Sequence, residues 1–158
     1  MQYTEFQSLK LSRLGFGMMR LPVLADGTID ETAVAQMVDD ALKNGINYFD
    51  TAASYGKNSL SETILGRGLK EAGIRDKVII ATKCGDYEED QYVQDFSYSG
   101  IISRFEDQLR RLQTDYVDVL QLHAVLLQDA QPPAHQLVVV RLVAGGAPQL
   151  GDAAGLGK

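Results

Sequence analysis

The fold is decided by the stretch Asn47-Tyr48-Phe49-Asp50-Thr51-Ala52-Ala53-Ser54-Tyr55-Gly56. A short apolar run in it ends at Asp50, and Tyr55 follows in a turn of small residues. The apolar run predicts a buried strand. Because a carboxylate at the end of a buried strand is costly unless it is paired, a cationic partner for Asp50 is expected elsewhere in the chain.

Two later strands are also predicted to end in ionisable residues. Residues 78–82 are rich in β-branched side chains, as in strands buried on both faces, and they end at Lys83. Residues 116–123 form another predicted strand, which ends at His123. Because ligands bind at the carboxyl ends of the strands in α/β sheets and barrels, we expect Asp50, Lys83 and His123 at one site.

Amphipathic segments separate these strands. Apolar residues recur at helical spacing after residue 30, after residue 60 and across residues 101–112, and glycines 45 and 73 are expected to end the first two helices. Residues 9–12 and 13–19 are predicted as earlier strands. The alternation predicts an α/β fold with parallel strands and right-handed crossovers. The helix starts are predicted from capping boxes, with Asp30 as a competing cap: Thr28 with Glu31, and Ser59 with Glu62.

Composition limits the class of protein. With 158 residues, the chain is expected to form one domain with a sizeable core. The net charge of −6 disfavours nucleic acid as a partner, and no apolar run is long enough to span a membrane. The single cysteine, Cys84, and the lack of a signal peptide predict a cytoplasmic protein. No metal site is expected, because neither of the two histidines belongs to a pair with ligand spacing.

The composition changes abruptly after His123. Residues 124–158 contain no Glu, Ser, Thr, Ile, Phe, Tyr, Asn or Met, and they hold three of the four prolines. Residues 138–140 are compatible with a short strand. We expect residues 1–123 to form the organised part of the chain and residues 124–158 to be either a partly disordered Gly/Pro-rich tail or a segment translated out of frame or rejoined after truncation.

Each ionisable candidate has an ordinary structural explanation. Asp50 could cap a turn, Tyr55 could be a packing residue, Lys83 a surface charge and His123 a satisfied core histidine. Together, the four groups have complementary chemistry at one edge of one sheet. A charged Lys83 beside Tyr55 favours ionisation of the phenol and makes it a usable proton donor. A neutral His123 can hydrogen-bond the oxygen that receives the proton. Reduction of a carbonyl needs these groups and a hydride donor, which must be a nicotinamide or a flavin because no side chain can deliver a hydride.

Several spaced motifs carry a resemblance to a known family. They are Gly45-Ile46-Asn47-Tyr48-Phe49-Asp50-Thr51-Ala52 with Tyr55-Gly56, Ser61-Glu62-x-x-Leu65-Gly66, Ile80-Ala81-Thr82-Lys83 and Asp118-Val119-Leu120-Gln121-Leu122-His123. In this order they closely resemble the signature of the aldo-keto reductases, over residues 9–123. Residues 13–22 look most like the bacterial branch of that family.

The resemblance implies a (β/α)₈ barrel closed below by an amino-terminal hairpin, for which residues 2–12 are available. It implies reduction of a small-molecule carbonyl substrate with NADPH, less often NADH. Tyr55 then corresponds to the general acid, Asp50 and Lys83 to its ion-paired support, and His123 to the residue that orients the substrate. Gly17 and Met18, with Asp50, lie where the family binds the nicotinamide.

The chain departs from the family in length. Eight βα units need roughly 250 residues, and about four are present before the break, so the barrel is incomplete. Most of the cofactor site has no counterpart, and we expect an impaired enzyme with uncovered edges that favour self-association. The alternatives are a noncatalytic regulatory member, like the potassium-channel β subunits of the family, and an inactive truncated product.

Overall fold

The computed structural model describes residues 1–84, 95, 97–123 and 138–143. Within these ranges the chain forms strands and helices in nearly strict alternation. The strands are β1 (Tyr3–Phe6), β2 (Leu9–Ser12), β3 (Phe16–Gly17), β4 (Tyr48–Asp50), β5 (Ile79–Cys84), β6 (Tyr116–Leu122) and β7 (Val138–Val143). The helices are α1 (Glu31–Lys43), α2 (Leu60–Ala72) and α3 (Tyr98–Leu112).

A sheet with the strand order β3-β4-β5-β6-β7 organises the described residues. The pairs from β3 to β6 are parallel, as the alternating pattern predicts. Each parallel pair is connected by one of the helices, so the described residues contain consecutive βα units of an incomplete barrel. The predicted strand over residues 13–19 is shorter than expected, because only Phe16–Gly17 pairs with β4.

The last strand runs against the others. The short strand expected over residues 138–140 lies in β7, which extends to Val143 and pairs antiparallel with β6, with Val119 opposite Val140. A complete βα barrel contains only parallel strands. The outer edge of β6 is therefore paired with an antiparallel strand, whereas a complete barrel would have a parallel strand there. The other part of the expectation for residues 124–158, disorder or a changed reading frame, lies outside the described residues.

The two faces of the sheet are covered by different elements. On one face, the helices pack over a large apolar core. On the other, Ile79, Ala81 and Val119 form a smaller cluster against Leu9 and Leu11 of the β1–β2 hairpin. The hairpin therefore closes one end of the half-barrel interior, as expected for residues 2–12.

The helix ends confirm some predicted caps and correct others. Asp30, not Thr28, caps α1, and its carboxylate accepts a hydrogen bond of 2.9 Å from the Ala33 N–H. Thr28 is bonded to Asp26 instead, at 2.6 Å. The positive φ angles of Gly45 and Gly73 agree with their predicted positions at helix ends.

The capping box predicted at the start of α2 is wrong. Ser59 stands at the N-cap, but its hydroxyl donates to the Ala53 carbonyl, at 2.7 Å, rather than capping the helix. Glu62 is fully buried and faces the sheet. The local spacing was therefore overridden by tertiary contacts.

Within the described ranges, no helix is long and apolar enough to cross a membrane.

Candidate active site

Register places the predicted site residues on one face of the sheet. Asp50 pairs with Ala81, which pairs with Val119. Lys83 lies two residues beyond Ala81, and His123 lies four residues beyond Val119. Because side chains alternate between faces along a strand, these even spacings direct Lys83 and His123 to the face that carries Ala81 and Val119. The polar site is thus a continuation of the apolar cluster under the hairpin.

Asp50 and Lys83 form the ion pair that the sequence predicts. Lys83 Nζ lies 2.6 Å from Asp50 Oδ1 and donates a second hydrogen bond, of 3.0 Å, to the Thr51 carbonyl oxygen. The Lys83 side chain is only 10% exposed, whereas that of Asp50 is 31% exposed. Lys83 is therefore not a surface charge. Its buried ammonium depends on oxygen acceptors from the end of β4.

Tyr55 lies against this ion pair. Lys83 Nζ is 4.8 Å from the centroid of the Tyr55 ring, within range of a cation–π contact. The Tyr55 main chain is fixed on both sides, since its N–H donates to the Ala52 carbonyl and its own carbonyl accepts from the Ser61 N–H. The loop that follows has three positive φ angles, at Gly56, Asn58 and Ser59, which turn the chain sharply into α2.

His123 completes the constellation from the far side. Its backbone N–H donates to the Cys84 carbonyl at 2.9 Å, which extends the β5–β6 pairing to the residue after β6. Its ring meets the Tyr55 ring edge-on, with centroids 6.2 Å apart and an interplanar angle of 84°. All four predicted residues therefore converge. The Tyr55 phenol and the His123 imidazole therefore lie next to each other, and the Lys83 ammonium lies over the phenol ring.

The two other predicted cofactor residues have unequal environments. Gly17 pairs with Asp50 and is exposed, and a Cβ placed on it would meet no atom within 4 Å. Met18 is fully buried in the core below α1 and α2. Its N–H donates to the Asp50 carbonyl, and its carbonyl accepts from the Ser61 hydroxyl. Gly17 thus leaves open space beside Asp50, while the polar groups of the Met18 main chain are already engaged.

A buried polar cluster behind the site was not predicted. Thr82 donates to Glu62 Oε1 at 2.6 Å, and Gln108 Nε2 lies 3.0 Å from both of these groups. Arg111 Nε donates to Glu62 Oε2 at 2.7 Å. A signal was present in the sequence, because Gln108 occupies a core position of the α3 stripe between Phe105 and Leu112.

Burial changes the acid–base behaviour of this cluster. Desolvation raises the pKa of the fully buried Glu62 carboxyl above its ordinary value of 4.5. The Arg111 guanidinium and the hydrogen bonds from Thr82, Arg111 and Gln108 act in the opposite direction and are outweighed. Protonation of Glu62 is therefore coupled to folding.

Among the described residues, no group of three or more His, Cys, Asp or Glu side chains is arranged to hold a metal ion. The polar groups of the site are those of proton transfer and hydrogen bonding.

Comparison with known proteins identifies the family of the chain. Residues 13–133 match the family described as Aldo/keto reductase family. The chain is 42% identical over 118 residues to L-galactose dehydrogenase of Arabidopsis thaliana, a match that covers 74% of this chain and 35% of that protein. It is 37% identical over 126 residues to aldo-keto reductase YhdN of Bacillus subtilis, covering 78% and 38% respectively.

Solved structures give the same relationship. The holo form of aldo-keto reductase AKR11C1 from Bacillus halodurans superposes with a TM-score of 0.70 and 39% sequence identity, over 82% of this chain and 42% of that one. A putative aldo-keto reductase from Pseudomonas aeruginosa superposes with a TM-score of 0.63 at 34% identity, over 74% and 44% respectively. The chain thus spans less than half the length of these relatives. The family match over residues 13–133 and these relatives show that the chain belongs to the aldo/keto reductase family.

Proposed function

We propose that this chain carries the catalytic residues of a reductase that converts an aldehyde or a ketone into an alcohol, with NADPH, or alternatively NADH, as the hydride donor. The observation that supports this most directly is the convergence of a partly buried Asp50–Lys83 ion pair, a phenol and an imidazole at one place. Membership of a family of oxidoreductases supports the class of reaction.

Each side chain has a defined task in this proposal. Tyr55 donates its hydroxyl proton to the carbonyl oxygen as negative charge develops there. The Lys83 ammonium lies over the ring, where its positive charge offsets the negative charge that develops during proton transfer, and Asp50 holds Lys83 in place. His123 donates a hydrogen bond to the same oxygen and orients the substrate.

The residues present fit part of a nicotinamide site. Open space next to Gly17, beside Asp50, is compatible with a flat ring lying against the strand ends. Met18 supports this position from the helix side of the sheet rather than by direct contact, since its side chain is buried in the core with α1 and α2. When bound, a reduced nicotinamide supplies the hydride for the carbonyl carbon.

The extent of the chain sets an expectation for affinity. The matched segment makes up only 35% of the plant relative and 42% of the solved structure, and among the described residues the proposed cofactor contacts lie at the ends of β3 and β4. We expect this chain alone to bind NADPH weakly or not at all, and to be impaired as an enzyme. A fluorescence titration that gave micromolar affinity would refute this expectation.

Turnover separates the reductase from the alternatives of a regulatory member and an inactive product. NADPH oxidation is followed with a broadly accepted aldehyde at high cofactor concentration. A reductase shows a rate that Tyr55→Phe abolishes and Tyr98→Phe retains, because Tyr98 is 71% exposed and lies on α3 rather than at a strand end. A rate that survives Tyr55→Phe would contradict the assigned proton donor, and the absence of any rate in the parent chain would favour the alternatives.

We also propose a cytoplasmic location, no nucleic-acid or membrane partner, and self-association through the uncovered edge of the half-barrel. The strand β3 has only β4 as a neighbour among the described residues, and exposed apolar side chains flank it. These are Leu14, Met19, Val23 and Leu24. A compact monomer in size-exclusion chromatography at all concentrations would count against self-association.

A further inference from the structure

The carbonyl of Lys83 lies at a position where the sheet cannot satisfy it. The Ala81 carbonyl, two residues earlier, accepts a hydrogen bond of 2.8 Å from the Thr51 N–H on the β4 side. By the alternation of the strand, the Lys83 carbonyl faces the same side, but β4 has already ended at Asp50. A donor from outside the sheet is therefore needed at this point.

Gln108 supplies that donor from α3. Its Nε2 lies 2.7 Å from the Lys83 carbonyl oxygen, and the side chain is fully buried. The same Nε2 also lies 3.0 Å from both Glu62 Oε1 and the Thr82 hydroxyl oxygen. The Gln108 oxygen has no hydrogen-bond partner among the described residues. The site therefore uses the donating end of this amide and not its accepting end.

The contacts around Gln108 fix its orientation. Rotating the amide by half a turn would bring its oxygen against the Lys83 carbonyl oxygen, which can only accept hydrogen bonds. Arg111 holds Glu62 from the other side. The Gln108 side chain is thus fixed between its own helix α3, the helix α2 and the strand β5. It lies directly behind Lys83, whose side chain reaches Asp50.

We propose that Gln108 is a positioning residue for Lys83: by holding the Lys83 carbonyl where β4 ends, it fixes the direction of the Lys83 ammonium toward Asp50 and Tyr55. This inference adds a positioning residue to the proposed function. It rests on that function only in assuming that Lys83 is important for catalysis. Because main-chain direction at Lys83 determines where its side chain begins, loss of this one hydrogen bond loosens the ion pair without removing either partner.

The test measures the Lys83 ammonium directly, in this chain and without cofactor or substrate. A lysine ammonium held by Asp50 and Thr51 exchanges its protons slowly and gives a ¹H–¹⁵N cross-peak at low temperature and mildly acidic pH; Lys83→Met identifies the peak by its loss. In Gln108→Met, which keeps the volume but has no donor, we expect exchange to be faster by about fivefold or more, or the peak to vanish. Gln108→Asn, one methylene too short to reach both Glu62 and Lys83, should act in the same direction.

Asp118→Asn is the matched control. Asp118 is also a buried polar residue that holds the β5 main chain, since its carboxylate accepts from the Ile80 N–H at 2.9 Å, but it lies toward the other end of the strand. Unchanged Lys83 exchange in folded Gln108 variants would overturn the proposal, and so would equal acceleration in Asp118→Asn. If both Gln108 variants failed to fold while Asp118→Asn folded, the polar cluster would be required for folding only. That result would also overturn the proposal. Because no turnover is measured, each of these outcomes is independent of whether the chain is a reductase.

Discussion

Gly66 of α2 packs directly against the backbone of Leu112 at the end of α3. A Cβ at Gly66 would overlap the Cα, carbonyl carbon and carbonyl oxygen of Leu112. The two helices can therefore approach closely only because residue 66 has no side chain. This contact brings Glu62 of α2 and Gln108 of α3 within hydrogen-bonding distance behind the active site.

Substitution of this glycine tests the helix contact. Gly66→Ala should lower the free energy of unfolding by about 1–3 kcal/mol, because backbone atoms must move to admit the methyl group. Gly68→Ala is the control on the same helix, where a Cβ would meet nothing within 4 Å. It should raise stability by about 0.5–1 kcal/mol, through the better helix propensity of alanine. Urea unfolding of both variants measures the difference, and equal effects would contradict a close contact.

The Asp50–Lys83 ion pair makes a prediction about stability. Asp50→Leu leaves the Lys83 ammonium, 10% exposed, without its counter-charge and should cost about 3 kcal/mol. The double variant Asp50→Leu/Lys83→Met should be more stable than Asp50→Leu, since it removes the isolated charge. The exposed pair of Asp39 and Lys43 is the control: Asp39→Asn should cost less than about 0.5 kcal/mol. Denaturant unfolding that gave equal costs for Asp50→Leu and Asp39→Asn would show that Lys83 is solvated.

Stability should depend on pH through Glu62. Its pKa is raised in the folded state, so the folded chain holds the proton to higher pH than the unfolded chain does. The resulting stabilisation is fully present below pH 4.5 and is lost as the pH rises through the pKa of the folded state. Glu62→Gln should therefore show a smaller loss of unfolding free energy between pH 4.5 and neutrality than the parent.

Glu71→Gln controls for a charge change on the same helix, because Glu71 is exposed. Its pH dependence should match that of the parent chain. If Glu62→Gln also matched the parent, the coupling between Glu62 protonation and folding would be disproved.

The start of α1 tests the corrected cap. Asp30→Ala should destabilise the protein by about 1 kcal/mol, because the Ala33 N–H loses its acceptor. Thr28→Ala removes only an exposed hydrogen bond to Asp26 and should change stability by less than about 0.5 kcal/mol. The thermal unfolding midpoints of the two variants rank the two candidate caps. A lower midpoint for Thr28→Ala than for Asp30→Ala would show that Thr28 is the N-cap of α1.

The strand ends were predictable from sequence, whereas the contacts behind them were not. A run such as residues 78–82 indicates the strand and its neighbouring charge, although β5 extends through Lys83 to Cys84 and is buried along its whole length. Glu62 was misassigned as a capping residue because its spacing from Ser59 is local, while its actual partners, Thr82 and Gln108, are distant in sequence. Tertiary burial outweighed the local rule.

The direction of β7 could not be predicted for a different reason. A run of valines indicates a strand but has no property that distinguishes parallel from antiparallel pairing. Only the path of the chain between residues 123 and 138 could decide it.

The antiparallel β7 has a consequence for attempts to complete the barrel in trans. A separately supplied polypeptide with the missing βα units would have to add a parallel strand to β6, and β7 already holds the hydrogen-bonding edge that this strand would use. Complementation is therefore an exchange reaction rather than a simple addition. Its rate would be limited by the release of β7, and shortening the chain to residues 1–123 would accelerate it.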